Sequence, residues 1–278
     1  MSRSIEGRGS TSRVEAASPG RAALVIAHPG HELRVHGWLE RTAPIVFILT
    51  DGGGHEGVSR LDSTTEILER VGATPRAPYG RYPDTNIYRA LMDHRFDVFL
   101  GLIEELTGAF LHEQIDTVVG DAFEGYNPSH DVCRLLVNAV VAAVASRTGR
   151  TIANYDFPLV GSPDAPRDEA DQADIRLELT DEEFSRKVEA ARRYRAIDGE
   201  VKSATDAVGW DAFRVERLRR VPEQTLFPEL AGPAMYERRG ERRVAEGHYA
   251  TVLRHRDHMV PLVDRVRQHI EGMRRCAG

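Results

Sequence analysis

The sequence predicts an α/β fold: a mostly parallel, doubly wound sheet flanked by helices, with a helical extension toward the C-terminus. Three observations carry this. Short continuous apolar runs alternate with stretches of helical period, the connections between them are short, and the runs AALVIA (22–27) and PIVFILT (44–50) are apolar at every position or nearly so. A strand covered on one face alternates apolar and polar residues; a strand apolar throughout is covered by helices on both faces, as in a parallel sheet. Strand, helix, strand, helix order with short connections then selects the doubly wound arrangement.

The elements follow in order. AALVIA is the first strand, and a helix from about Glu32 to Glu40 begins almost at once. PIVFILT is the second strand, ending in DGGGHEG, and residues 61–72 form a helix. In FDVFLGLIEELTGAFLHEQ (96–114) the apolar residues recur at helical spacing. IDTVVGDAF (115–123) is a third strand, DVCRLLVNAVVAAVAS (131–146) a strongly apolar helix, and RTIANYDFPLV (150–160) a fourth strand. Beyond about residue 165 the texture changes. PRDEADQAD reads as a polar linker and DIRLELT (174–180) as an edge strand. A helix runs from Asp181 to about Ala196, with Thr180 as its cap and Glu183 completing a capping box. Residues 200–220 and 256–275 read as further helices. Residues 1–20, rich in Ser, Arg and Gly, read as a disordered tail, and 21–278 as one domain whose part beyond about 165 is a mainly helical appendage.

Composition narrows the function. A chain of 278 residues can bury a proper core. A formal charge of -6 gives no electrostatic footprint for nucleic acid or an anionic membrane. The arginines of RRVPEQ and ERRGERR are local and read as solvated faces. Two cysteines, Cys133 and Cys276, argue against a disulfide framework and suit a reducing cytoplasm. No window approaches about eighteen apolar residues, so no membrane span is expected. The expected partner is a small molecule, and homo-oligomerisation stays open.

Parallel sheets bind ligands beyond the carboxyl ends of their strands. Three loops of this chain reach that edge, 28–32, 51–57 and 121–131, and all are chemically loaded. In AHPGHE, His28 sits where the first strand ends and His31 opens the helix, with Pro29-Gly30 making a rigid and then permissive turn. Imidazole is a common ligand for zinc and other divalent metals, and His130, at the start of another helix, offers a third donor. The alternative for His130 is a helix-terminal or solvent-facing residue. Glu32 and Asp131 are also first-turn acids, and Asp51, His55 and Glu124 complete the titratable groups of these loops. The glycines of TDGGGHEG lack dinucleotide spacing and read as a flexible loop beside the pocket. There is no G-x-S-x-G elbow and no cysteine in a nucleophile's setting. His255 and His258 read as surface residues.

AHPGHE followed by GYNPSHD resembles the LmbE/PIG-L family of zinc-dependent N-deacetylases, whose signatures are A-H-P-D-D-E and a later H-P-D-H on a Rossmann-like sheet. The likeness spans residues 22 to about 160. TDGGG matches the family's T-D-G segment, and FSRKVEAARRYRA is similar to its K-x-x-A-x-x-x-Y helix. The resemblance implies zinc, or another divalent metal, held by His28, His31 and His130, with metal-bound water attacking the acyl carbon of an N-acylated sugar or glycoside. His31 replaces an aspartate ligand, and Gly30 stands where the family has its general base. Asn127 replaces a transition-state histidine and keeps a donor for an oxyanion; Ser129 replaces an aspartate. Proton transfer would then fall to Glu32 or Asp51. Two functions are implied: an amide hydrolase, or, because of Gly30, a silent or repurposed relative that binds a sugar or metabolite.

Overall fold

The computed structural model describes residues 20–54, 57–166, 174–222, 226–228, 230 and 232–277. All but the last residue of the expected tail, His55, most of the polar linker and the Cys276 side chain lie outside the described residues. In chain order come β1 (Arg21–Ile26), a 3-10 turn (His31–Val35), α1 (His36–Thr42), β2 (Ile45–Thr50), α2 (Leu61–Val71), β3 (Thr74–Tyr82) and α3 (Asp84–Met92). Then follow α4 (Asp97–His112), β4 (Ile115–Asp121), α5 (Pro128–Thr148), β5 (Ala153–Phe157), β6 (Ile175–Glu178), α6 (Asp181–Arg193) and α7 (Asp198–Val208). The chain continues with β7 (Val215–Arg220), α8 (Met235–Ala245) and α9 (Val260–Ala277).

The strands form one seven-stranded sheet in the order β3-β2-β1-β4-β5-β7-β6. Pairs from β3 through β5 are parallel; β7 pairs antiparallel with both β5 and β6. The α/β class and the mostly parallel sheet are as the sequence predicts, and β6 is the expected edge strand. The chain winds from β1 to β2 and β3 in one direction, then from β4 to β5 in the other. The order therefore reverses between β1 and β4, which makes the carboxyl ends of these two strands the crevice of the sheet.

Apolar residues of β1 divide by side. Ala23 and Val25 face a core shared with α3, α4, α5 and α9, whereas Leu24 and Ile26 face one shared with α1, β2 and β7. This two-sided burial is why AALVIA has no polar alternation. Gly120 in β4 belongs to the same junction, because a β-carbon there would lie 2.8 Å from the Val25 carbonyl oxygen.

Several expectations need correction. Residues 73–95 contain β3 and α3, which the apolar pattern does not announce. Much of β3 is exposed or half-buried, so it lacks the signature of an inner strand. Residues 200–220 are not one helix: α7 ends at Val208, and VERLRR forms β7, burying Glu216 and Leu218 at strand period. Glu, Arg and Leu favour helices, and tertiary pairing overrides that preference. Residues 235–245 add α8. Among the described residues α5 is long and apolar enough to cross a membrane by length and composition, but 78% of its most apolar window is buried inside the protein, packed by α4 and α9. It is a core helix. His255 and His258 are half-buried, and the His255 ring stacks at 6.0 Å on Phe227.

Candidate metal centre

Three imidazoles gather at the crevice between β1 and β4. His28 and His31 come from the loop and turn after β1, and His130 from the first turn of α5. Their ring centroids lie 5.2 Å (28–31), 5.1 Å (28–130) and 4.6 Å (31–130) apart, with the planes steeply inclined. Rings bound tetrahedrally to one ion at about 2.0–2.1 Å per nitrogen would have centroids roughly 5 Å apart.

The local chain explains the placement. Gly30 has φ 107°, a conformation that side chains rarely adopt, and it turns the chain between the two histidines. Asn127 caps α5, its Oδ1 accepting from the Ser129 amide at 2.8 Å, and Pro128 occupies the first helical position. His130 is thereby fixed in the first turn.

Each ring of the β1 loop is oriented from behind. His31 Nδ1 lies 2.9 Å and 3.0 Å from the two oxygens of Asp121, whose Oδ2 also accepts from the Ala27 amide at 2.8 Å. His28 Nδ1 lies 2.8 Å from Thr50 Oγ1 and 2.8 Å from Asp84 Oδ1. Thr50 donates its single hydroxyl hydrogen to the Ala27 carbonyl, so it accepts from His28. Nδ1 of His28 is thus the donor to these oxygens, and Nε2 is the nitrogen left to face a cation. His28 Nε2 and His130 Nδ1 are both buried with no hydrogen-bond partner. Other buried side-chain atoms of the chain also lack a hydrogen-bond partner, but these two nitrogens belong to rings that converge on one point, where a cation would satisfy both.

Electrostatics agree with that donor set. Burial, then the neighbouring imidazoles, push His31 and His130 well below the ordinary histidine range, so both are neutral at physiological pH. Burial raises Asp121 to about 7, partly offset by the Ala27 amide. Burial also opposes ionisation of Asp84, but its contacts with His28, Thr50 and the Gly54 amide outweigh it and hold the carboxyl below its usual value. Neutral imidazoles backed by carboxylates are the chemistry of zinc and related divalent sites. The donors fit a cation in kind, while among the described residues no group of three or more His, Cys, Asp or Glu stands in a geometry that could hold a metal ion.

The other sequence candidates are placed differently. Glu32 is fully buried, with Oε2 accepting from the Gly30 amide at 2.7 Å and Oε1 from Thr64 at 2.7 Å. Both oxygens are therefore engaged in holding the turn. The described contacts of Asp51 shape its own loop: Oδ1 accepts from Gly53 at 2.9 Å, and its carbonyl accepts from the Arg60 amide. Asn127 ends the β4–α5 loop as the cap of the helix that carries His130, and its Oδ1 also accepts from the Tyr88 hydroxyl at 3.1 Å. Its amide nitrogen remains as the available donor. Asp84, Asp121 and Thr50 are absent from the sequence candidates. Asp121 and Thr50 were legible as strand-terminal polar residues at the ligand edge. Asp84 opens a helix that the apolar pattern does not reveal.

The sequence matches no family model and no curated protein. Among solved structures, the deacetylase–bog complex from the biosynthesis pathway of teicoplanin overlaps with a TM-score of 0.52 at 13% identity, covering 73% of this chain and 100% of that one. This chain shares that fold. The A40926 pseudoaglycone deacetylase Dbv21 (TM-score 0.48, 16% identity, 84% and 95% covered) is also similar. So is the zinc-inhibited form of the teicoplanin deacetylase Orf2 (TM-score 0.49, 13% identity, 73% and 100% covered). The structural neighbours are thus deacetylases, and the chemistry of this chain has to be argued from its own side chains.

Proposed function

We propose that this chain is a metal-dependent amide hydrolase of the LmbE/PIG-L type, removing the acyl group from an N-acylated amino sugar or glycoside. The observation that carries this is the convergence of His28, His31 and His130 within 4.6–5.2 Å of one another at the crevice of the sheet, with buried, unpartnered nitrogens on two of them. The deacetylase fold of the neighbours supports the reaction class.

His28, His31 and His130 would hold zinc or another divalent cation, which when bound polarises an acyl carbonyl and acidifies water. Asp121 and the pair Asp84 and Thr50 keep the His31 and His28 rings turned inward. The Asn127 amide nitrogen donates to the oxygen that gains charge as the carbonyl is attacked. Glu32 braces the turn from its buried position.

One observation favours a second reading, a relative that binds an acylated sugar without cleaving it. Gly30 offers no proton acceptor, and a β-carbon there would lie 3.1 Å from Ile197 Cδ1. The test is acetate release from a panel of N-acetyl amino sugars by protein stripped with chelator and reloaded with zinc, alongside His130→Ala. Turnover lost in the variant supports the hydrolase. Undiminished turnover in His130→Ala refutes the site, and metal uptake with no turnover on any substrate favours the binding protein.

A further inference from the structure

The turn that carries His28 and His31 is held from its far side by residues remote in sequence. The Gly30 amide donates to Glu32 Oε2 at 2.7 Å, and Glu32 Oε1 accepts from the Thr64 hydroxyl of α2 at 2.7 Å. With its own hydrogen given to Glu32, the Thr64 hydroxyl accepts from the hydroxyl of Tyr194, just past α6, at 2.9 Å; the Arg60 carbonyl, also 2.9 Å from the Tyr194 oxygen, is a second acceptor for that same hydrogen. Glu32 and Thr64 are 0% exposed and Tyr194 is 1% exposed, so water does not compete for these bonds. Space is filled along with the hydrogen bonds: a β-carbon on Gly30 would lie 3.1 Å from Ile197 Cδ1 and 3.8 Å from Tyr194 Cε1.

We propose that Tyr194 is a positioning residue of the metal centre, acting through Thr64 and Glu32 to fix the Pro29–Gly30–His31 turn. This role presupposes the metal site proposed above. Packing alone would be served by a phenylalanine, and a buried hydroxyl is destabilising if left unpaired. Here the Tyr194 hydroxyl donates to Thr64, Thr64 donates to Glu32, and the other Glu32 oxygen accepts from the Gly30 amide between the two histidines. A glycine at φ 107° has the freest backbone in the turn, so a fixed partner for its amide has the largest effect there. Ligand distances tolerate only about 0.2 Å, and loss of a supporting partner typically lowers metal affinity about 10–100-fold.

The experiment uses the full chain with Tyr194→Phe, Thr64→Val and Thr64→Ser. Zinc affinity is read by calorimetry, cobalt(II) geometry by its visible absorption band, and metal-free stability by thermal unfolding. Tyr194→Phe and Thr64→Val are expected to weaken zinc binding about tenfold and to alter the cobalt band, while Thr64→Ser, which keeps the hydroxyl, restores both. Wild-type affinity and band in Tyr194→Phe overturn the proposal and leave the metal site standing. If Thr64→Ser binds no better than Thr64→Val, and affinity merely follows lost stability, the proposal is also overturned. A wild-type chain that takes up neither zinc nor cobalt removes the metal site itself, and the positioning role with it.

Discussion

Glu124, on the loop between β4 and α5, shows how burial alone can set a charge. One oxygen accepts from the Leu159 and Val160 amides at 3.2 Å each, and the other is buried with no hydrogen-bond partner. Burial raises the carboxyl from 4.5 to about 7, against the opposing pull of the Val160 amide and Arg219. Between those two pH values the folded chain keeps a proton that the unfolded chain has released. Stability contributed by this group is therefore present at low pH and lost as pH rises from about 4.5 to 7. Wild type should lose up to about 3 kcal/mol more than Glu124→Gln across that window, since each pKa unit is worth about 1.4 kcal/mol. Urea unfolding of both proteins at pH 5 and pH 8 measures the difference; parallel pH curves would contradict it.

At the scale of elements, α6 is anchored by one buried ion pair. Lys187 Nζ donates to Glu216 Oε1 of β7 at 2.7 Å and to the Arg34 carbonyl at 3.1 Å. Glu216 also accepts from the Gly37 and Trp38 amides at 2.8 and 2.9 Å, at the start of α1. A single carboxylate thus ties the C-terminal strand, α6 and α1 together. Lys187→Met would leave that carboxylate buried without its counter-ion, a loss of about 3–5 kcal/mol. Denaturant midpoints should show this, and Lys187→Met combined with Glu216→Gln should be more stable than Lys187→Met alone. The pair also explains why VERLRR becomes a strand: its inward positions are a leucine and a glutamate whose partner lies on another element.

For the whole molecule, the reversal of strand order between β1 and β4 decides where chemistry can occur. It brings a loop from residue 28 and a helix start at residue 130 to one crevice. If the three imidazoles take a cation that the unfolded chain does not hold, binding adds to stability by mass action, about 2.7 kcal/mol at a hundredfold excess over Kd. Thermal unfolding of chelator-treated protein should therefore shift upward on adding zinc and return with EDTA. His130→Ala should show no such shift; an equal shift in that variant would place the cation elsewhere.

The sequence by itself determined the α/β class, the parallel inner strands and the capped start of α6, because these depend on local period and capping chemistry. It also marked His28, His31 and His130, since each stands at a strand-to-helix junction whose place on the sheet edge follows from the winding. Only the tertiary structure decided what surrounds them. Asp84 reaches His28 from a helix hidden behind a half-exposed strand, and Glu32, adjacent to a histidine in sequence, turns its carboxylate into the protein to meet Thr64. Neighbours along a chain share a backbone but point apart. Which buried partner each side chain meets is fixed by packing between elements that no local pattern relates.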